Sequence, residues 1–585
     1  MSTLFDTLWS EAGDDAVVVA LRGGADPEGR DADGETPLYR AAVENQPGAV
    51  RLLLAAGADP GRASGADDGD LPLCGAACGG HTEVVRALLA AGAEPDQEEG
   101  YGFTALAWAV RLGHTGTARV LLAAGADPDR PGPDGLAPLT AAARRGSPSL
   151  VRALLEHGAG HRREALDEAL DEARRWIGVD MAAVLRRGLV ESGGAADTYE
   201  AVVRRVPEDG GITVVVELLR EDGAPSRGDE RQTGHAAIAT LLEGALGEPA
   251  PPEVLAERAL RCGDPGRDDW TTAVEALAAG AGGSGAGSGA GGASGHRSEP
   301  GSGHRSQARS GSESESGPGS GSAWAGSGPG SGPGSGSAWA GTGGASGHRS
   351  GSEPGSGSQS AGSGAAAPET VFVTATAWCA SPDPLRRALG ARVLAALPGY
   401  EAGAVPVLRG LAAETAEVMA AGDREPAVSV AVALGRCGDG AAVPELLALA
   451  AHPDAEVRRE VAAALAGIVP PGDAAALERI TALSRDPDPR VRDWATLALA
   501  ELPDDTPATR EALAARLADP DPETIAEAAR GLALRQDPRA VDPLASLLAD
   551  SDPEGPARET ALAALPHVTD PRVRRRLEWT TPRCR

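Results

Sequence analysis

Short Gly-Ala-Asp-Pro units begin at Gly24, Gly57 and Gly125, with Gly-Ala-Glu-Pro at Gly92 and a worn copy at Gly158-Ala159-Gly160; the spacings are 33, 35, 33 and 33 residues. No other feature constrains the fold as much. Each unit of such a period is too small to bury an apolar face by itself and must stack on its neighbours. Each unit also follows an apolar run, such as Val84-Val85-Arg86-Ala87-Leu88-Leu89. A second marker keeps the same period: Thr36-Pro37-Leu38, Leu71-Pro72-Leu73, Thr104-Ala105-Leu106 and Ala137-Pro138-Leu139. The pattern predicts two short helices per unit. Proline suits the first turn of the first helix, where its missing N–H costs nothing, and glycine suits the stop of the second, where φ turns positive.

These markers resemble the ankyrin repeat, over about residues 1–160. The histidine that ankyrin repeats usually carry after Thr-Pro-Leu is replaced here by Tyr39, Cys74, Ala107 and Thr140. The usual ladder from that histidine is therefore expected to be missing. His81 and His114 stand instead in the turn between helices, where a structural role is favoured over metal binding. The resemblance implies protein binding through hairpin tips and the exposed face of the first helix. On that alignment the variable positions include Glu35, Arg40 and Asp70, and then Tyr101, Phe103 and Trp108. The last three are aromatic in a chain that is only 3% aromatic. Buried aromatic anchors dominate interface energy, so Tyr101, Phe103 and Trp108 form the expected contact cluster, the alternative being packing against the next hairpin.

From 161 to 279 the period disappears, and a small helical or α+β module is expected. Glu164–Ile177 reads as a helix with Leu166, Leu170, Ala173 and Ile177 on one face. Ala201-Val202-Val203 and Ile212–Val216, separated by Pro207-Glu208-Asp209-Gly210-Gly211, read as a hairpin. Helices are expected near 236–246, 252–261 and 268–278. Gln232-Thr233-Gly234-His235 reads as a helix-capping loop, since no nucleophile with a positioning partner accompanies its histidine.

Residues 280–368 are almost entirely Gly, Ser, Ala and Pro, with Ser-Gly-His-Arg-Ser and Gly-Ser-Ala-Trp-Ala-Gly recurring. Such a composition is expected to stay disordered. As a flexible coil it would span roughly 50 Å and leave the two flanking parts free to act separately.

A second period fills 369–585. Prolines at 453, 487, 520 and 553 mark units 34, 33 and 33 residues long, and Pro382 lies 71 residues earlier, with a worn copy near 423–426 between. Ala/Leu/Val-rich helices follow each marker and a partner helix precedes it. Proline halts one helix and the neighbouring aspartate caps the next. This arrangement resembles bacterial HEAT repeats, including the group named after phycobilisome lyases. In that family the arginine at positions Arg458 and Arg492 often pairs between repeats; the other role considered, together with Trp494, is a secondary protein-binding surface.

The fold class is therefore mainly α: an ankyrin solenoid, a small α+β module, a Gly/Ser linker and a HEAT α-solenoid. The chain has no lysine, which excludes the standard P-loop, protein-kinase and pyridoxal-phosphate chemistries. The Ala/Gly/Arg/Pro-rich composition has the cast of a GC-rich bacterial coding sequence. A net charge of −30 argues against nucleic acid as a partner and suits a basic protein. No stretch reaches the ~18 apolar residues of a membrane span. The start of the chain lacks a basic leader, the six cysteines show no metal-ligand spacing, and no cofactor is implied. The expectation is a cytoplasmic, monomeric, non-catalytic protein-binding scaffold. Two alternatives stand beside it: a bacterial immunity or regulatory inhibitor, and a HEAT-type enzyme, lyase-like or acting in DNA repair.

Overall fold

The computed structural model describes residues 4–8, 13–67, 69–193, 200–208, 211–220, 225–282, 367–418, 424–549 and 555–580. Nearly all of the Gly/Ser-rich stretch lies outside the described residues.

The first period folds as expected. Helix pairs Pro37–Val43 and Pro47–Ala55, Pro72–Cys78 and Thr82–Ala90, Ala105–Leu112 and Thr115–Ala123, and Pro138–Arg145 and Pro148–Glu156 stack in sequence. Thr36 Oγ1 accepts from the Tyr39 amide and Thr104 Oγ1 from the Ala107 amide, both at 3.2 Å, so the threonine of the marker is the cap of the first helix. Gly57, Gly92 and Gly125 end the second helices with φ of 100°, 96° and 95°. That left-handed backbone explains why glycine is fixed there.

A ladder does run between repeats, from another position. Gln46 Nε2 donates to the Leu8 carbonyl at 2.8 Å, His81 Nε2 to Val43 at 2.9 Å and His114 Nε2 to Cys78 at 3.0 Å. Arg145 Nη1 continues the series onto Arg111, at 3.3 Å. Each donor satisfies a carbonyl near the C-terminus of the preceding repeat's first helix, one of the groups a helix leaves unpaired. The turn histidines are therefore structural.

The stack does not stop where the period stops. Leu166, Ala169, Leu170 and Ala173 of helix Arg163–Trp176, and Ile238, Ala239 and Leu242 of helix His235–Ala245, are buried in the same apolar core as the ankyrin helices. Between these helices, strands β1 (Glu200–Glu208), β2 (Gly211–Leu219) and β3 (Pro225–Gln232) form an antiparallel sheet in the order β1-β2-β3. Val203 pairs with Val216 and Glu208 with Gly211, the expected hairpin. Val214, Val216 and Leu218 of β2 pack on Met181, Leu185 and Leu189 of helix Met181–Gly193.

Helices Pro252–Cys262 and Asp268–Gly282 share their core with the C-terminal part. Leu255, Trp270 and Leu277 lie in one apolar cluster with Val371 and Trp378 of helix Pro368–Cys379, and with Leu389 and Leu394 of helix Pro384–Ala396. The indole of Trp378 donates to Glu253 at 3.3 Å. Polar ties join this part to the ankyrin side. Arg258 binds both carboxylate oxygens of Glu243, at 2.6 and 2.8 Å, and Arg174 reaches Glu243 at 3.0 Å. Arg152 reaches from helix Pro148–Glu156 to Asp268 at 2.9 Å and to Thr272 at 2.6 Å.

The second period then runs to Thr580. Marker helices Arg424–Cys437, Ala455–Leu465, Pro489–Glu501, Pro522–Leu534 and Pro556–Ala564 pack one on the next. Asp454, Asp488 and Asp521 cap three of them, accepting from the amides of Glu456 at 2.8 Å, Arg490 at 2.8 Å and Thr524 at 3.1 Å. The Asp of the sequence marker thus opens these three helices, as its capping preference requires.

Candidate interaction surfaces

The ankyrin hairpin tips carry two kinds of surface. In the first repeat Asp31 folds the hairpin, its Oδ1 accepting from the amides of Asp33 at 3.0 Å and Glu35 at 2.9 Å. Arg40 pairs with Glu35 and approaches Asp31 at 3.9 Å. Asp70 lies on the next tip, its backbone bridged to Ser64. Burial lifts the Glu35 carboxyl above its usual range; Arg40 pulls it back, and Asp31, Asp33 and Asp70 push it further up. Glu35, Arg40 and Asp70 are thus brought into one acidic neighbourhood.

The third repeat presents the aromatics. Phe103 and Trp108 stack with ring centroids 4.1 Å apart. The Trp108 indole N–H donates to Glu99 at 2.7 Å, and the Arg111 guanidinium sits over the Phe103 ring at 5.5 Å. These contacts hold the pair half-buried, with Trp108 packed against the repeat core. Tyr101 behaves differently: it projects from the tip and is 66% exposed. The three aromatics expected to act together therefore divide into a fixed platform, Phe103 and Trp108, and one exposed ring.

Beside that platform lies a cavity of about 420 Å³. Its walls come from the first helices of the third and fourth repeats and from β3, and they bring Arg111, Arg144, Arg145 and Arg231 together. Arg145 is anchored to Glu230 at 3.0 Å and Arg144 to Glu172 at 2.7 Å. Arg231 lies over the Trp176 ring at 5.3 Å. Burial lowers the Arg231 pKa, opposed by Asp229 and assisted by Arg145 and Arg144. The loop before helix His235–Ala245 docks here, with the Gly234 amide donating to Gly146 at 3.0 Å. His235 is buried behind it, and burial lowers its pKa to about 4. Nothing in the amino-acid order pointed to this cavity, because the polar strand Pro225–Gln232 has no alternation to mark it as a strand.

The C-terminal residues singled out from the sequence serve the stack. Arg458 binds both oxygens of Asp486, at 2.7 and 3.0 Å, and its Nη1 donates to the carbonyls of His452 and Pro453, at 2.9 and 2.8 Å. Arg492 repeats this one unit on, holding Asp519 at 3.0 Å and the carbonyls of Asp486 and Pro487, both at 3.2 Å. Every guanidinium nitrogen of both residues already donates inside the fold, which is the inter-repeat pairing the resemblance implied. Trp494 is half-buried against the same core.

Burial pushes the Cys262 thiol to about 11 and the Cys379 thiol to about 12, so neither is a ready thiolate. Among the described residues, no group of three or more His, Cys, Asp or Glu side chains is arranged to hold a metal ion. No described helix is long and apolar enough to cross a membrane.

Comparison with protein families agrees with this architecture. A model for ankyrin repeats in three copies matches residues 63–132, and one for the single ankyrin repeat matches 33–64 and 134–163. A model for HEAT repeats matches 415–500 and 509–579. The chain carries ankyrin repeats in its N-terminal part and HEAT repeats in its C-terminal part. Both are generally protein-interaction modules, and such repeat families are typically non-catalytic. No match to a curated protein was found.

Proposed function

We propose that the chain is a non-catalytic adaptor that binds a protein partner at the tip of the third ankyrin repeat, through Tyr101 and the Phe103–Trp108 platform. The exposure of Tyr101 beside two stacked rings is the observation that carries this reading. A large ring held out in water next to a rigid apolar platform is the arrangement from which binding hot spots are made. The acidic tips around Glu35, Arg40 and Asp70 flank it and favour a basic rim on the partner. The reading takes the adaptor to be monomeric and cytoplasmic.

A photo-crosslinking amino acid placed at position 101 in living cells tests this. A defined protein should crosslink at 101 and not at Val19, which is equally open at 70% exposure but lies far from the platform in sequence. Trp108→Ala in the same chain should reduce the yield. Equal labelling at both positions would remove the proposal.

A further inference from the structure

The cavity beside the platform is richer in arginine than the chain as a whole. Across 585 residues, acidic side chains outnumber basic ones by 84 to 54, yet this lining holds four arginines against three acids, Asp134, Asp229 and Glu230. Those acids are committed. Glu230 holds Arg145 at 3.0 Å, Asp134 accepts from the Leu136 amide at 3.2 Å, and Asp229 accepts from the Glu230 amide at 2.8 Å. Arg111 and Arg231 lie over the faces of Phe103 and Trp176, at 5.5 and 5.3 Å. Among the described residues, neither guanidinium has a carboxylate within ion-pair distance. Glu172 and Glu230 take up Arg144 and Arg145, which leaves Arg111 and Arg231 with donors in the planar fork that matches a carboxylate. Stacking on rings fixes the two forks without using their N–H groups.

We propose that this cavity is a binding site for a carboxylate-bearing ligand, with Arg111 and Arg231 taking the acid group and the edge of Phe103 together with Ala107, Val110 and Leu136 receiving an apolar part beside it. The volume is that of a small-molecule or side-chain pocket. β3 closes one wall, so the site belongs to this chain's combination of ankyrin helices and sheet. Glu230 already shows the chemistry: it is an internal carboxylate seated on Arg145. The assignment goes beyond the adaptor reading and does not depend on it. Carboxylates of this kind come from an acidic segment of a protein or from a free organic acid.

The test uses the full chain near 0.15 M salt, where the screening length is about 8 Å and the overall negative charge repels the probe little. A fluorescein-labelled hexapeptide of alternating Glu and Phe is titrated by anisotropy, beside its Gln/Phe counterpart, with citrate as competitor. The Glu peptide should bind about tenfold more tightly than the Gln peptide. Arg111→Gln and Arg231→Gln should each weaken it about fivefold or more. Glu230→Gln should tighten it several-fold by releasing Arg145. Arg86→Gln, an exposed residue paired with Glu83 on its own helix, should leave it unchanged. Citrate that displaces the peptide at or below the peptide's own Kd assigns the site to free acids; a peptide that citrate does not match assigns it to a protein segment. Equal binding of the two peptides overturns the proposal. Should Arg231→Gln not fold, the exposed Arg111 and the gain expected from Glu230→Gln decide it, and no change in either overturns it equally. Failure here leaves crosslinking at Tyr101 untouched.

Discussion

Arg492 offers the sharpest test of how the C-terminal repeats hold together. Its side chain is 13% exposed and that of its partner Asp519 only 2%. Arg492→Met keeps much of the apolar stem and removes every donor, stranding the Asp519 carboxylate in a nearly dry site. Removing one member of a buried ion pair costs about 3–5 kcal/mol, most of it from the charge left behind. Asp519 would keep the Asp521 amide at 3.1 Å and Arg516 at 3.4 Å. The loss should therefore fall near the bottom of that range, at about 3 kcal/mol. Adding Asp519→Asn removes the stranded charge and should recover about 1–2 kcal/mol. Urea unfolding followed by circular dichroism gives the totals. Hydrogen exchange over helices Pro489–Glu501 and Pro522–Leu534 shows whether the loss is local, since repeat stacks can open piecewise. A loss below about 1 kcal/mol, or one that Asp519→Asn deepens, would refute the reasoning.

Three further outcomes follow from the same structure. His235 and Asp269 should oppose each other with pH. Burial holds His235 near a pKa of about 4, below its unfolded value, so its contribution is lost as pH falls from about 6.5 towards 4. Burial raises Asp269 to about 6, so its contribution is present in acid and lost as pH rises from about 4 to 6. Asp269→Asn, which keeps an oxygen for the Ala237 amide at 2.7 Å, should make stability fall more steeply on acidification. His235→Phe should do the reverse, and urea midpoints at pH 4.5, 5.5 and 7 that move in parallel in both variants would disprove the pairing. In the ankyrin ladder, His114→Ala leaves the Cys78 carbonyl without its donor and should cost about 1 kcal/mol in thermal or urea unfolding; His81→Ala should cost no more, its carbonyl partner being less enclosed. Glu243→Ala takes the carboxylate partner from Arg258, which keeps Thr240 at 2.9 Å, between helices His235–Ala245 and Pro252–Cys262. Its cost should reach about 3 kcal/mol, and an effect no larger than that of an exposed pair such as Arg86 with Glu83 would show that the joint lies elsewhere.

Both solenoids were legible because their signals are local. Thr36 and Thr104 cap from within their own turn, Gly57 and Gly92 declare their φ, and Asp454 and Asp488 sit beside the helices they open. The hairpin of β1 and β2 was legible for the same reason, through its β-branched runs. What escaped depended on distant partners. β3 has no apolar alternation because one neighbour is β2 and the other is a set of arginines from the ankyrin helices. Helix Met181–Gly193 has its apolar partner in β2, a pairing between separate elements that local periodicity does not show. The ladder of Gln46, His81, His114 and Arg145 uses three residue types, and Arg145 stands two residues before the position the other three share, so the sequence shows variation where the geometry shows one repeated bond. Of the aromatic cluster, sequence located all three rings. Only packing separates Tyr101, in water, from Phe103 and Trp108, which hold each other.

The shared core of Trp270 and Trp378 also changes what it means to divide this chain. Composition marks the stretch after Gly282 as the natural place to cut. A cut there breaks one covalent thread and leaves Leu255, Trp270 and Leu277 seated on Val371, Trp378 and Leu389. Expressed apart, the two pieces would each carry half of an apolar seam into water and be prone to aggregate. Expressed together, they are complements that should find each other and elute as one species. The unit that folds is thus assembled from two stretches of sequence lying far apart along the chain.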